Sequence, residues 1–159
     1  QRCFEILRHG FKPLLQNFRN ALSLGQILTI ELYVVRFRLF NQLIHRRLLI
    51  LASNGKELRG EDMLIPEGRK RRNDALPFAI RFHLGPEVEP SLTGDGQAVL
   101  MRVANGASWQ LRCAGAAVGI EESLWVDGNG RPNPTYQIEL VGTVPTGGAS
   151  VGWLLRQLS

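Results

Sequence analysis

The sequence predicts a mainly β protein, an antiparallel β-sandwich that a short N-terminal helix precedes. Three observations carry that prediction. Short segments after Leu43 alternate apolar and polar residues with period two, turn dipeptides separate them, and a helical apolar spacing is confined to the first 24 residues.

In that first stretch Phe4, Leu7, Phe11, Leu14, Leu15, Phe18 and Leu22 recur three and four positions apart, as on the apolar stripe of a helix. Pro13 kinks such a helix or delays its start. After Gly25, Ile27 to Phe40 reads as one long strand whose apolar positions change phase at Val34-Val35, the mark of a bulge. Asn54-Gly55 then turns the chain between Leu48–Leu51 and Leu58. Phe78, Ile80, Phe82 and Leu84 alternate with Ala79, Arg81 and His83, so one face of that strand is buried. Asn105-Gly106 tolerates the positive φ angles of a tight hairpin and joins Val99–Val103 to Trp109–Cys113. A further hairpin turns at Asp127–Gly130, linking Ile120–Val126 to Tyr136–Val141, and Gly147-Gly148 leads into a last strand from Val151 to Leu155. Many short strands at roughly even spacing, with no helical period between them, build a sandwich.

At 159 residues the chain supports one domain with a real core, and its 44% apolar content is ordinary for a globular protein. No uninterrupted apolar run is long enough to span a membrane as a helix, since Glu31, Arg36 and Arg38 break the nearest candidate. The chain opens on Gln1 without the basic, apolar and small-residue sections of a secretory signal, which suits a piece of something longer. Cys3 and Cys113 are too few for a disulfide framework or a thiolate zinc site; a single bridge and two buried thiols both stay open. The net charge of +5 favours a polyanionic partner, either nucleic acid or an acidic polysaccharide. Much of the excess sits at Arg69-Lys70-Arg71-Arg72, which reads as a solvated loop. No Phe or Tyr is interleaved there to stack on bases, so nucleic acid is the weaker choice.

Several ordered blocks resemble a known family. LIHRRLLILASNGKELRGEDMLI, PFAIRFHLGPEVEPSL, DGQAVLMRVANGASWQLRC and IEESLWVDGNG with a downstream YQIELVG are similar to the C-terminal part of heparinase II/III-like proteins, from Leu43 to about Leu155. That family comprises polysaccharide lyases of bacterial cell envelopes, so the resemblance implies a periplasmic or envelope location. It also implies an α/α toroid followed by a large antiparallel β-sandwich, with an acidic polysaccharide in the cleft between them. Such enzymes cleave uronic-acid chains by β-elimination: a Tyr or His base removes the C5 proton while a neutralising group stabilises charge on the carboxylate. The family's catalytic Tyr and His lie on the toroid, and its divalent-metal ligands come from strands ahead of the matched blocks. The resemblance therefore implies no catalytic residue and no cofactor site in this segment, which is expected to be inactive alone. ELYVVRFRLFNQ keeps an echo of the aspartate-glycine-tyrosine strand that precedes the His-Arg-Arg strand in relatives. Residues 1 to about 30 match nothing in the family pattern, and are either a divergent segment or the product of a shifted frame or truncated gene. The alternative function is a non-catalytic carbohydrate-binding or interaction module.

The charged residues are weighed against that background. Glu61 and Asp62 are adjacent, so on a strand they point to opposite faces and cannot act as a matched acid and base. Arg59, Glu61 and Asp62 read instead as a structural polar cluster, in which Arg59, or Arg46 or Arg47, pairs with a carboxylate across the sheet for about 0.2 to 1 kcal/mol. Arg46, Arg47, Arg59 and His83 are the candidates for holding an anionic chain. His45 and His83 invite a metal or base role, but a metal needs three or four converging ligands and the chain has no His-x-His or His-x-x-x-His spacing. Of Glu121 and Glu122, one is expected to face solvent and the other to find a partner. Trp109, Trp125 and Trp153 offer platforms for sugar rings, although each lies in an apolar strand where burial is the commoner fate.

Overall fold

The computed structural model describes residues 43–67, 75–104 and 106–158. The helix read over residues 1–24, the strand over 27–40 and the basic run Arg69–Arg72 lie outside them. The described residues form nine strands: β1 (Leu43–Leu51), β2 (Glu57–Pro66), β3 (Leu76–His83), β4 (Val88–Leu92), β5 (Ala98–Val103), β6 (Ser108–Ala114), β7 (Ala117–Val126), β8 (Pro132–Val144) and β9 (Ala149–Leu158). All pairings are antiparallel. One sheet has six strands in the order β1-β2-β9-β6-β5-β4, and the other has three in the order β3-β8-β7. No described helix is long and apolar enough to cross a membrane.

Turn chemistry sets the local pairings. Between β1 and β2, Gly55 takes a φ of 68° and the Asn54 side chain accepts from the Lys56 amide at 2.9 Å, closing the loop into which Ala52 and Glu57 are tied. Between β7 and β8 the Asp127 carboxylate accepts from the amides of Asn129 and Arg131, both at 2.8 Å. The short edge strand β4 carries Pro90, which cannot donate to a ladder and so discourages further pairing.

The core lies between the sheets. Leu49, Val99, Met101, Leu111, Val151 and Trp153 from the six-stranded sheet meet Ile80, Ile138 and Leu140 from the other. A second cluster of Leu43, Leu64 and Val144 closes one end. Because side chains alternate across a strand, burial at Gly60, Asp62 and Leu64 places those residues on the core face of β2, with Arg59, Glu61 and Met63 on the outer face. On β1 the core face is Leu43, His45, Arg47, Leu49 and Leu51 by the same parity.

Gly60 has a packing role. It pairs with Trp153 on β9, and the indole takes the space above it: a Cβ added at residue 60 would sit 2.1 Å from the Trp153 ring. A strand glycine here marks a close approach. Gly60→Ala is therefore expected to displace the indole and cost roughly 1 to 3 kcal/mol; urea unfolding that finds the variant as stable as the parent chain would contradict this packing.

Candidate functional site

The most concentrated ionic chemistry among the described residues is centred on Asp62, which is fully buried. Its position follows from register. Asp62 stands opposite Arg47 on β1 and opposite Val151 on β9, while His45 is two residues along β1 on the same face. Oδ1 accepts from His45 Nε2 and from Arg47 Nε, each at 2.6 Å. Oδ2 accepts from an Arg47 terminal nitrogen at 3.0 Å and from Trp153 Nε1 at 2.8 Å. The guanidinium thus grips the carboxylate with two parallel bonds, the geometry that makes arginine the preferred partner for a buried acid.

The cluster extends across the core. Arg47 lies 5.4 Å from the centre of the Phe82 ring and 5.8 Å from that of Trp153. The two rings meet edge to face with centroids 5.0 Å apart and planes at 75°. Phe82 belongs to the three-stranded sheet, so one polar group holds three strands of one sheet and reaches the other.

Electrostatics follow from this enclosure. Burial by itself would raise the Asp62 carboxyl, but the hydrogen bonds from His45 and Arg47, the Arg47 charge and the Trp153 indole outweigh it and hold the group below the ordinary 3.8. A carboxylate only accepts, so His45 Nε2 carries a proton toward it; among the described residues the buried His45 Nδ1 has no partner. This is not an acid–base site, because the carboxylate is saturated with donors and closed to substrate. It does not suit a divalent metal either: the guanidinium occupies both carboxylate oxygens and opposes a second cation. No group of three His, Cys, Asp or Glu side chains among the described residues could hold an ion.

The residues singled out from sequence are dispersed. Arg47, and neither Arg46 nor Arg59, crosses to Asp62. Arg59 is 66% exposed in its side chain and pairs at 2.7 Å with Glu57 on its own strand, and Glu61 accepts from Ser150 on the outer face. The proposed trio of Arg59, Glu61 and Asp62 is thus split between two faces. Arg46 points outward from β1, whereas His83 is exposed on the other sheet and bonds Ser123 at 2.8 Å, so the four candidates for an anionic chain do not share one surface. Arg81 beside it pairs with Glu139. Cys113 is a free thiol, raised by burial. Trp153 is buried and Trp109 half-buried, but Trp125 is 43% exposed, contrary to the expectation of core. Both Glu121 and Glu122 are exposed, and among the described residues neither takes the partner expected of one of them. Sequence reasoning passed over Trp153 as the fourth donor; the mid-strand glycine at 60 was the available signal.

Removing one partner of a buried ion pair leaves the other charge stranded. Arg47→Ala is expected to cost roughly 3 to 5 kcal/mol, against less than about 1 kcal/mol for Arg59→Ala, whose pair is exposed; equal losses in chemical denaturation would refute the assignment. Acid tests the same group. Because the folded carboxyl titrates below its unfolded value, the unfolded chain binds the proton first as pH falls. Asp62 therefore contributes fully above that unfolded value, and its share drains away below it. Unfolding midpoints followed down to about pH 3 should fall less steeply for Asp62→Asn than for the parent chain.

Comparison with known proteins agrees with this architecture. Residues 29–154 match the family described as Heparinase II/III-like, C-terminal. FtsZ-localized protein C of Caulobacter vibrioides (strain NA1000 / CB15N) is 39% identical over 124 residues, which is 72% of this chain and 21% of that protein. Two structures of a heparinase III, one with methylated lysines, superpose with TM-scores of 0.60 and 0.61 at 10% identity, covering 75% and 77% of this chain and 18% of theirs. At that identity the likeness is one of fold. The chain spans about a fifth of the length of these relatives. With nine strands in two sheets among its described residues and a family match over most of its length, the chain belongs to the heparinase II/III-like family, as part of its C-terminal region.

Proposed function

We propose that this chain is the non-catalytic β-sandwich of a polysaccharide lyase of the bacterial envelope, supporting the lyase body and steadying an acidic polysaccharide on one open sheet face. The observation that carries the reading is the enclosure of Asp62: the strongest ionic cluster has both carboxylate oxygens filled and serves packing, which leaves binding to the surface. The outer face of the six-stranded sheet offers it. Arg59, Leu154 and Arg112 form one row across β2, β9 and β6, which places the two arginines two strands apart, about 10 Å. Arg156 lies in the next row beside Gln110, and Arg46 stands further along β1. Of the four candidates from sequence, Arg46 and Arg59 remain suited to this role; Arg47 is spent on Asp62.

A second reading rests on the 39% identity to a protein named for FtsZ: an interaction module recruited to FtsZ polymers. Co-sedimentation of the purified chain with polymerised FtsZ would favour it, and absence from the pellet would discard it.

For the first reading, the purified chain given uronic-acid polysaccharides should generate no absorbance from the conjugated double bond that β-elimination leaves. Turnover would overturn it. The same chain should be retained on immobilised heparin, and the double substitution Arg59→Ser with Arg112→Ser should elute at lower salt, since each counter-charge removed weakens a screened attraction. Unchanged elution would remove this face from the proposal.

A further inference from the structure

The β7–β8 hairpin outruns the rest of its sheet. β3 ends at His83, paired with Gln137, while β7 and β8 continue together from Glu121 and Gln137 to Val126 and Pro132. Leu124, Val126 and Tyr136 share the parity of the core residues Ile120 and Ile138, yet they are 64%, 49% and 47% exposed. The overhang carries a core-facing side that the described residues leave uncovered. An open depression of about 570 Å³ lies there, lined by Glu122, Ser123, Leu124, Pro134, Thr135 and Tyr136. Its volume falls within the range of small-ligand sites. Glu122 stands directly across from Tyr136 and makes no hydrogen bond or ion pair among the described residues.

We infer that this depression binds a ring of an uncharged pyranose glycan, with Tyr136 against the apolar C–H face of the sugar and Glu122 accepting hydrogen bonds from its hydroxyls. An aromatic ring presents a negative face that suits the weakly positive C–H groups of a pyranose. An unpaired carboxylate beside it makes charge-assisted bonds to hydroxyl donors. Charge selects the sugar. Glu121, Glu122 and Asp127 on this hairpin face a single cation, Arg131, so a uronate is repelled where a neutral sugar is not. A protein partner fits less well, because covering Leu124 and Val126 would strip water from Glu122, and no cation lines the depression to meet it. A sugar keeps that carboxylate hydrogen-bonded. The site is on the opposite sheet from the arginine face, so it stands or falls apart from the acidic-polysaccharide reading.

The test is calorimetry of the full chain with cellohexaose and with N-acetylchitohexaose, and with oligogalacturonate as the charged control. Binding of at least one uncharged oligosaccharide is expected, insensitive to added salt, whereas any oligogalacturonate bound by the arginine face should be lost on adding salt and be unchanged by Tyr136→Ala. Tyr136→Ala and Glu122→Gln should each weaken it by about tenfold or more. Both side chains are exposed, so an unchanged thermal midpoint verifies folding, and retention on heparin should be unaffected. No binding of either uncharged oligosaccharide, or a Tyr136→Ala variant that binds as tightly as the parent, would overturn the inference. So would self-association of the parent chain that Leu124→Glu abolishes with no sugar bound, since the patch would then be a protein interface.

Discussion

One carboxylate organises this sandwich. Asp62 is withdrawn from water into the space between two sheets, a step that is expensive for any charge and tolerable only when every lone pair is answered. Here His45, Arg47 and Trp153 answer them, and they come from positions 17, 15 and 91 residues away. The geometry demands that β1, β2 and β9 be in register together. A one-residue slip of β1 against β2 would part His45 and Arg47 from Asp62 and leave a bare charge in the core, and a slip of β9 would take the Trp153 donor away. Register in a sheet of mixed apolar faces is thus policed by electrostatics as well as by packing.

That arrangement also accounts for the placing of β9, which the chain inserts between β2 and β6 at its end. Trp153 needs Gly60 beneath it and Phe82 against its edge, and it delivers its N–H to Asp62 only from that position. The indole therefore joins apolar packing to the ion pair. Arg47 does likewise from the other side, its guanidinium held between a carboxylate and two ring faces. In water such contacts are weak. Inside the sandwich, with solvent excluded, they strengthen one another.

Two surfaces of different chemistry lie outside this core. The six-stranded sheet turns a row of arginines outward, and the long hairpin of the other sheet extends an acidic, partly apolar tip. The strand alternation that sends Asp62 inward sends Arg59 outward, three residues earlier on β2. A chain that spans about a fifth of its relatives' length displays these faces around one buried cluster contributed by both sheets.

The strands and turns were legible in the residues because their causes are local. Phe78, Ile80 and Phe82 against Arg81 and His83 define a buried side whatever surrounds them, and Gly55 or Asp127 makes its turn from its own backbone preferences and side chain. The family, too, was readable from ordered blocks of sequence. What could not be read was which of three chemically equal arginines meets Asp62, since β1 and β2 each carry apolar residues on both faces and parity alone leaves the choice open. Only the pairing of Arg47 with Asp62 across two strands, with a tryptophan arriving from the far end of the chain, settled it. The exposure of Leu124 and Glu122 has the same origin: a strand's sequence states what it can bury, and the length of its neighbours decides what is covered.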